Sequence, residues 1–208
     1  MNVGELPVPD PGPGEVLLRV LRIGLRIDPE KGGVSARGIA GEVVRVGAGV
    51  VDILAGERYA VQSTVGCGEC DYCFRSRENL CPRGYHPHGF GEAGAYTEIF
   101  LVPPAAIQQG CLIQLPEGLE PDAGLFVEPL AFCMNGLNQV PISQSSHLVV
   151  IGAGLTGILS GIIGRYRKAR RVTICDPDPR RIETLRGSSL PFDAVLGGGD
   201  DAVARVLA

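Results

Sequence analysis

Residues 148–157 read LVVIGAGLTG. LVVI is a short apolar run, the pattern of a strand buried on both faces. Gly152, Gly154 and Gly157 then spell G-x-G-x-x-G at the mouth of a helix pattern over 155–169. The first glycine permits a tight turn. The second lets the backbone approach a pyrophosphate, and the third lets the helix pack close to the strand. The helix N-terminus offers free N–H groups and positive dipole to an anion. Asp176 ends the next strand, 171–176 (RVTICD), 19 residues beyond Gly157. A carboxylate at that place accepts from a ribose hydroxyl and repels a 2′-phosphate, which favours NAD over NADP. The competing reading is a glycine-rich turn that only packs a helix on a sheet.

Downstream, 180–186 reads as a short helix, 193–196 (DAVL) as a weak strand, and 200–208 as the start of another helix. The order β-α-β-α-β is one mononucleotide-binding half of a doubly wound parallel sheet. Strand 148–151 would then have one edge without a partner, an association hazard. Residues 121–139 (PDAGLFVEPLAFCMNGLNQ) read as a helix with a break or kink at Pro129, and Pro141 closes it. From Ser145 to Gly164 there is no Asp, Glu, Lys or Arg, and Gly157 and Gly161 form a GxxxG pair. The length suits a bilayer. Five glycines, His147 and the change from strand to helix pattern favour a soluble reading with no membrane partner.

The N-terminal half is β-rich. A Pro/Gly-rich entry at 6–14 precedes strand patterns at 15–23, 39–46, 57–63, 95–102 and 111–115, with a polar, poorly periodic connection at 24–37. Short strands with turn signals suggest a small β-barrel-like domain. Four cysteines interrupt it in fifteen residues: Cys67, Cys70, Cys73 and Cys81, spaced C-x2-C-x2-C-x7-C. A tetrahedral Zn²⁺ with Zn–S bonds of about 2.3 Å uses such a set. An iron–sulfur cluster also does, although the ferredoxin run closes with a shorter gap. Cysteines three apart are poorly placed for disulfides, and unrelated buried cysteines rarely cluster so tightly.

The net charge of −4 argues against a chain built to neutralise nucleic-acid phosphates. The basic cluster Arg165, Arg167, Lys168, Arg170 and Arg171 suits a helix C-terminus, where cations meet the negative dipole end. Seven cysteines without a secretory signal point to a reducing, cytoplasmic compartment.

Together the segments VPDPGPGEVLLRV, GIAGEVVRVGAGV, the cysteine lobe, GAYTEIFLVP, LFVEPLAFCMNG and VVIGAGLTGIL resemble the medium-chain zinc-dependent alcohol and polyol dehydrogenases. The sorbitol, threonine and glucose dehydrogenase-like branch is the most similar. The resemblance implies an α/β chain. A GroES-like N-terminal domain over 1–142, with a structural-zinc lobe at 66–82, would precede a partial Rossmann domain over 143–208. It implies structural zinc on Cys67, Cys70, Cys73 and Cys81. NAD would lie against Gly152, Gly154, Leu155, Thr156, Gly157 and Asp176. It also implies an alcohol or polyol substrate, and a homo-oligomer or a complementing chain that supplies the second nucleotide half.

The family's catalytic zinc requires ligands that this sequence lacks. The C-G-T-D-like run is replaced by IGLRIDPE, where only Asp28 survives, and G-H-E is replaced by Ala36, Arg37 and Gly38. Glu128, in the EPLA run, matches a catalytic-zinc ligand or near-ligand. A guanidinium cannot ligate a metal. The expectation is therefore that Arg37 pairs with Glu128, a fixed cation standing where the metal would be. His86 and His88 are recruitable ligands with a weaker claim. Two readings follow: a polyol dehydrogenase transferring hydride from a carbinol carbon to nicotinamide, or a catalytically inactive relative that keeps its zinc lobe and partial nucleotide binding.

Overall fold

Val16, Leu17 and Leu18 are all fully buried, so the first strand is covered on both faces. In the computed structural model, residues 4–5, 7–28, 33–62, 64–84, 96–199 and 202–207 are described, with side chains except those of 25–28, 33–37, 202, 203 and 207. The chain divides into two units, Met1–Glu128 and Pro129–Ala208.

The first unit is an antiparallel sheet in the order β4-β1-β2-β3-β5. Its strands are β1 (Val16–Asp28), β2 (Gly33–Val46), β3 (Arg58–Val61), β4 (Ile99–Val102) and β5 (Leu112–Gln114). Val16, Leu18, Ile39, Val43, Val61, Phe100 and Val102 form its core, closed by Ala106 and Cys111 from and beside α2 (Pro104–Gln108). Each expected strand is present. The polar segment 24–37, expected as a connection, instead extends the β1–β2 hairpin: Leu25 pairs Ala36, Arg26 pairs Ser35, and Asp28 pairs Gly33. Register shifts at Leu17/Leu18, Val20/Arg22 and Ile23/Leu25 interrupt the two-residue alternation. A pattern so interrupted hides a strand from periodicity.

A short helix, α1 (Asp71–Phe74), lies in the cysteine lobe, and α3 (Pro121–Gly124) and α4 (Val127–Leu137) replace the single kinked helix expected at 121–139. The break falls at Leu125–Phe126, before Pro129 rather than at it. Pro129 sits third in α4, where a missing N–H leaves no helical bond unmade. The boundary between units falls inside this helix.

The second unit is a parallel sheet, β6-β7-β8, made of His147–Ile151, Arg171–Asp176 and Ala194–Gly197. α5 (Leu155–Tyr166) connects β6 to β7, α6 (Pro179–Arg186) connects β7 to β8, and α7 (Ala202–Leu207) follows. α5 buries Leu159 and Ile163 against Leu130, Cys133 and Leu137 of α4. The GxxxG stretch is a packing surface: a Cβ on Gly161 would lie 2.6 Å from Phe192 Cε1 and 3.2 Å from Ile174 Cδ1. No helix among the described residues is long and apolar enough to cross a membrane. β6 is an edge of the described sheet, with Ile151 88% exposed.

The basic cluster works as a helix terminus. Arg165 donates to the carbonyls of Ala169, Arg170 and Pro191 and pairs with Asp193 at 2.9 Å. Arg167 donates to the carbonyl of Leu137 at 2.9 Å.

Candidate metal centre and nucleotide loop

The cysteine lobe leaves the sheet of the first unit just after Val65. Gln109, at the end of α2, grips its entry. Its Oε1 accepts from the Gly66 N–H at 2.8 Å, and its Nε2 donates to the Gly66 carbonyl at 3.1 Å. The side-chain amide thus acts as a one-residue neighbouring strand. Gly66 admits no side chain, because a Cβ there would lie 2.5 Å from Cys73 Sγ. Gln109→Ala removes both bonds and strips a peptide group of its partners. The expected cost is about 1–3 kcal/mol, read as a lowered urea midpoint of the metal-loaded protein with an unchanged slope.

After Cys67 the chain turns through Gly68, which has a φ of +76°. Cys70 begins α1, and the Phe74 N–H bonds back to the Cys70 carbonyl at 3.0 Å. The sulfurs converge. Cys67–Cys73 is 4.0 Å, Cys70–Cys73 3.6 Å and Cys70–Cys81 3.7 Å, and all four lie within 4.8 Å of one another. A tetrahedron with metal–sulfur bonds of about 2.3 Å has edges of about 3.8 Å. The four thiols therefore fit one ion at a single centre. An iron–sulfur cluster spreads its thiolates over several irons.

The lobe also prepares the thiols unequally. The Cys67 N–H holds the Cys81 thiol down at about 6. A backbone N–H at Glu69 holds Cys67 below its ordinary value. Burial pushes Cys73 up to about 11. The remaining cysteines are isolated core residues: Cys111 donates to the Thr64 carbonyl, Cys133 to the Thr156 carbonyl, and Cys175 is buried.

In the second unit, Gly152 adopts a φ of +112° and its N–H donates to the Cys175 carbonyl at 2.7 Å. Gly154 precedes α5 in extended conformation, so Leu155, Thr156 and Gly157 form the first turn, whose N–H groups lack helical partners. Asp176 is 2% exposed and fixes this loop. Its Oδ2 accepts from the Ala153 N–H at 2.7 Å and from Arg181 at 3.2 Å, while Oδ1 accepts from the Asp178 N–H at 2.8 Å. The Ala153 N–H, more than Asp178 or Arg181, holds its carboxyl below the usual range. Three of roughly four acceptor positions are thereby occupied. Asp178 caps α6 by accepting from the Arg180 N–H at 2.9 Å. Neither Gln109 nor the clamp on Asp176 has a local sequence signal, since Gln109 lies 43 residues from Gly66.

Glu128 stands in the first turn of α4. The side chains of Asp28 and Arg37 lie outside the described residues, as do His86 and His88, so the expected Arg37–Glu128 pair falls beyond the description. Among the described residues, the four lobe cysteines are the one group of His, Cys, Asp and Glu side chains converging at metal-binding distance.

Residues 12–116 match the family model described as the alcohol dehydrogenase GroES-like domain. L-threonine 3-dehydrogenase of Streptomyces avermitilis is 31% identical, over 96% of this chain and 62% of the relative. Sorbitol dehydrogenase of Bacillus subtilis (strain 168) is 25% identical, over 89% of this chain and 55% of the relative. Alcohol dehydrogenase TADH from Thermus sp. ATN1 superposes with a TM-score of 0.76 at 26% identity, covering 99% of this chain and 62% of that one. A protein from Sinorhizobium meliloti 1021, solved bound to NADP, superposes with a TM-score of 0.77 at 25% identity over 94% of this chain and 58% of that one. The chain thus spans a little over half the length of these relatives.

Proposed function

The chain belongs to the alcohol dehydrogenase GroES-like family, and on that premise we propose that it is a zinc-stabilised, NAD-dependent oxidoreductase of the alcohol and polyol type. One observation carries the proposal: a single chain joins a four-thiol tetrahedron to a G-x-G-x-x-G loop pinned by an acid at the next strand end. Cys67, Cys70, Cys73 and Cys81 would hold the zinc, which in an all-cysteine site supplies folding energy rather than an open position for substrate. Gly152 and Gly154 leave room for a pyrophosphate. The first turn of α5, at Leu155, Thr156 and Gly157, offers it N–H donors, and Asp176 keeps one acceptor position for a ribose hydroxyl. The substrate class is a small alcohol or polyol, oxidised by hydride transfer to the nicotinamide. A cytoplasmic location belongs to the same proposal. So does a homo-oligomer or complementing chain against the β6 edge.

Preference for NAD rests on the negative charge of Asp176, and Arg181 partly offsets that charge. NADP therefore belongs in the test. A second reading, a non-catalytic relative, is favoured by the hairpin. The runs where the family keeps catalytic ligands, Arg26–Asp28 and Ala36–Gly38, are here built into paired strands, with Leu25 opposite Ala36 and Arg26 opposite Ser35. On this reading Glu128, Arg37 and Asp28 are remnants, and an Arg37–Glu128 ion pair replaces the catalytic metal.

Metal analysis with NAD and NADP titrations tests both readings. One zinc per chain, NAD binding tighter than NADP, and NADH formed from a polyol or secondary alcohol is the expected result. One zinc with bound nucleotide and no NADH transfers the conclusion to the non-catalytic reading. Two zincs with turnover would remove the Arg37 substitution. A chain with neither zinc nor nucleotide would sink both.

A further inference from the structure

The geometry points to Arg83 as the outer-sphere cation of the lobe's metal centre, holding the Cys67 sulfur by a charged hydrogen bond. Arg83 lies two residues beyond the last ligand, Cys81. Its Nη2 donates to Cys67 Sγ at 3.4 Å, and its Nη1 lies 3.5 Å from Glu69 Oε2. Glu69 sits inside the Cys67–Cys70 turn. The guanidinium therefore bridges the first and last arms of the lobe and is itself steered by an acid from the first arm.

Chemistry gives this contact a role. Four thiolates around Zn²⁺ leave two excess negative charges at the centre. Three of the four α1 residues are exposed, neither α1 nor the 3₁₀ turn Glu78–Leu80 buries a residue, and of the four ligand cysteines only Cys81 is buried, so apolar cover over the other sulfurs is thin. Backbone donors serve Cys81, where the Cys67 N–H lies 3.3 Å from Sγ. Cys67 has a cationic side chain in addition to the backbone N–H at Glu69. A donor to a ligating sulfur draws off charge, orients the ligand and slows its departure from the metal. Arg83 is thus a positioning residue acting through Cys67. The role rests on the four cysteines holding zinc, as proposed above.

Arg83→Ala in the whole zinc-loaded chain is the test, with Arg83→Lys and Arg75→Ala beside it. Arg75 is an exposed lobe arginine, so its loss removes the same net charge. Outer-shell changes typically weaken metal binding about 10- to 100-fold, and a half-exposed contact belongs at the low end. Zinc transfer to a chromogenic chelator is expected to be about tenfold faster in Arg83→Ala. It should be largely restored in Arg83→Lys and unchanged in Arg75→Ala. In the Co²⁺-substituted protein, the thiolate-to-metal charge-transfer band should move to lower energy in Arg83→Ala alone. Wild-type release and spectrum in Arg83→Ala would overturn the inference, and so would equal acceleration by Arg75→Ala. A wild-type chain without zinc would instead overturn the metal reading beneath it, which the initial metal analysis reveals separately.

Discussion

Removing the metal is expected to melt the segment 64–84 while leaving the five-stranded sheet folded. The lobe has almost no core of its own. Val65 and Cys81 are its buried hydrophobic side chains, each 7% exposed, and α1 is only four residues long. Helices that short do not persist in water without tertiary support. The hydrogen bonds that shape the lobe, such as Phe74 N–H to Cys70 and Cys81 N–H to Glu78, close small local rings and resist little by themselves. Drawing four thiolates to one point therefore depends on the ion, and structural zinc sites in small peptides are worth roughly 10–16 kcal/mol at neutral pH. The sheet core of Val16, Leu18, Ile39, Val61 and Val102 includes none of the four lobe cysteines, and Val65 packs into that core rather than into one of the lobe's own. After chelation at neutral pH, amide exchange at Phe74 and Cys81 should accelerate more than about a hundredfold, roughly 3 kcal/mol or more of lost protection. Val43 and Val61 should stay protected. Unchanged exchange in the lobe, with metal analysis proving the zinc gone, would show that the lobe's fold does not depend on the metal.

The same contrast between local and distant causes explains what could be read from the residues alone. Both candidate sites were legible because their determinants lie close in sequence. Cys67 to Cys81 spans one loop, and Gly152 to Asp176 spans one strand–helix–strand unit. The extension of the β1–β2 hairpin through 24–37 was not legible, because three register shifts interrupt alternation and its support comes from the partner strand. Pro129 drew the expected helix break toward itself, while the break three to four residues earlier, at Leu125–Phe126, leaves the proline where the helix needs no N–H. Gln109 could not be found, since a side-chain amide clamping a peptide 43 residues away has no periodic signature. Asp176 was placed correctly as the acid ending β7. Its burial, and its bonds to Ala153, Asp178 and Arg181, arise from packing the glycine loop over the strand end.

Gly157→Ala is expected to disable the nucleotide loop and destabilise the second unit together. A Cβ at this position would lie 1.8 Å from the Gly152 carbonyl oxygen and 2.9 Å from its carbon, with Val150 Cγ1 at 3.3 Å. The obstacle is backbone, so no rotamer relieves it. Gly152 cannot retreat freely, because its φ of +112° suits glycine and its N–H is committed to Cys175. Ala153 beside it is committed to Asp176. Either α5 lifts from the sheet, opening the packing of Leu159 and Ile163, or the loop breaks those two bonds. Overpacking of this kind costs about 3 kcal/mol or more. The substitution should lower the urea midpoint of the second unit and weaken NAD binding beyond about a hundredfold, the affinity equivalent of roughly 2.7 kcal/mol. Gly154→Ala separates the two effects. Nothing lies within 4 Å of a Cβ there, and its φ of −82° is open to any residue. That variant should fold with wild-type stability and lose affinity only because its methyl group stands where the pyrophosphate must close on the backbone. A wild-type midpoint in Gly157→Ala would contradict the packing of α5 on β6. Undiminished NAD affinity in Gly154→Ala would mean that the loop, though shaped for a pyrophosphate, does not hold one.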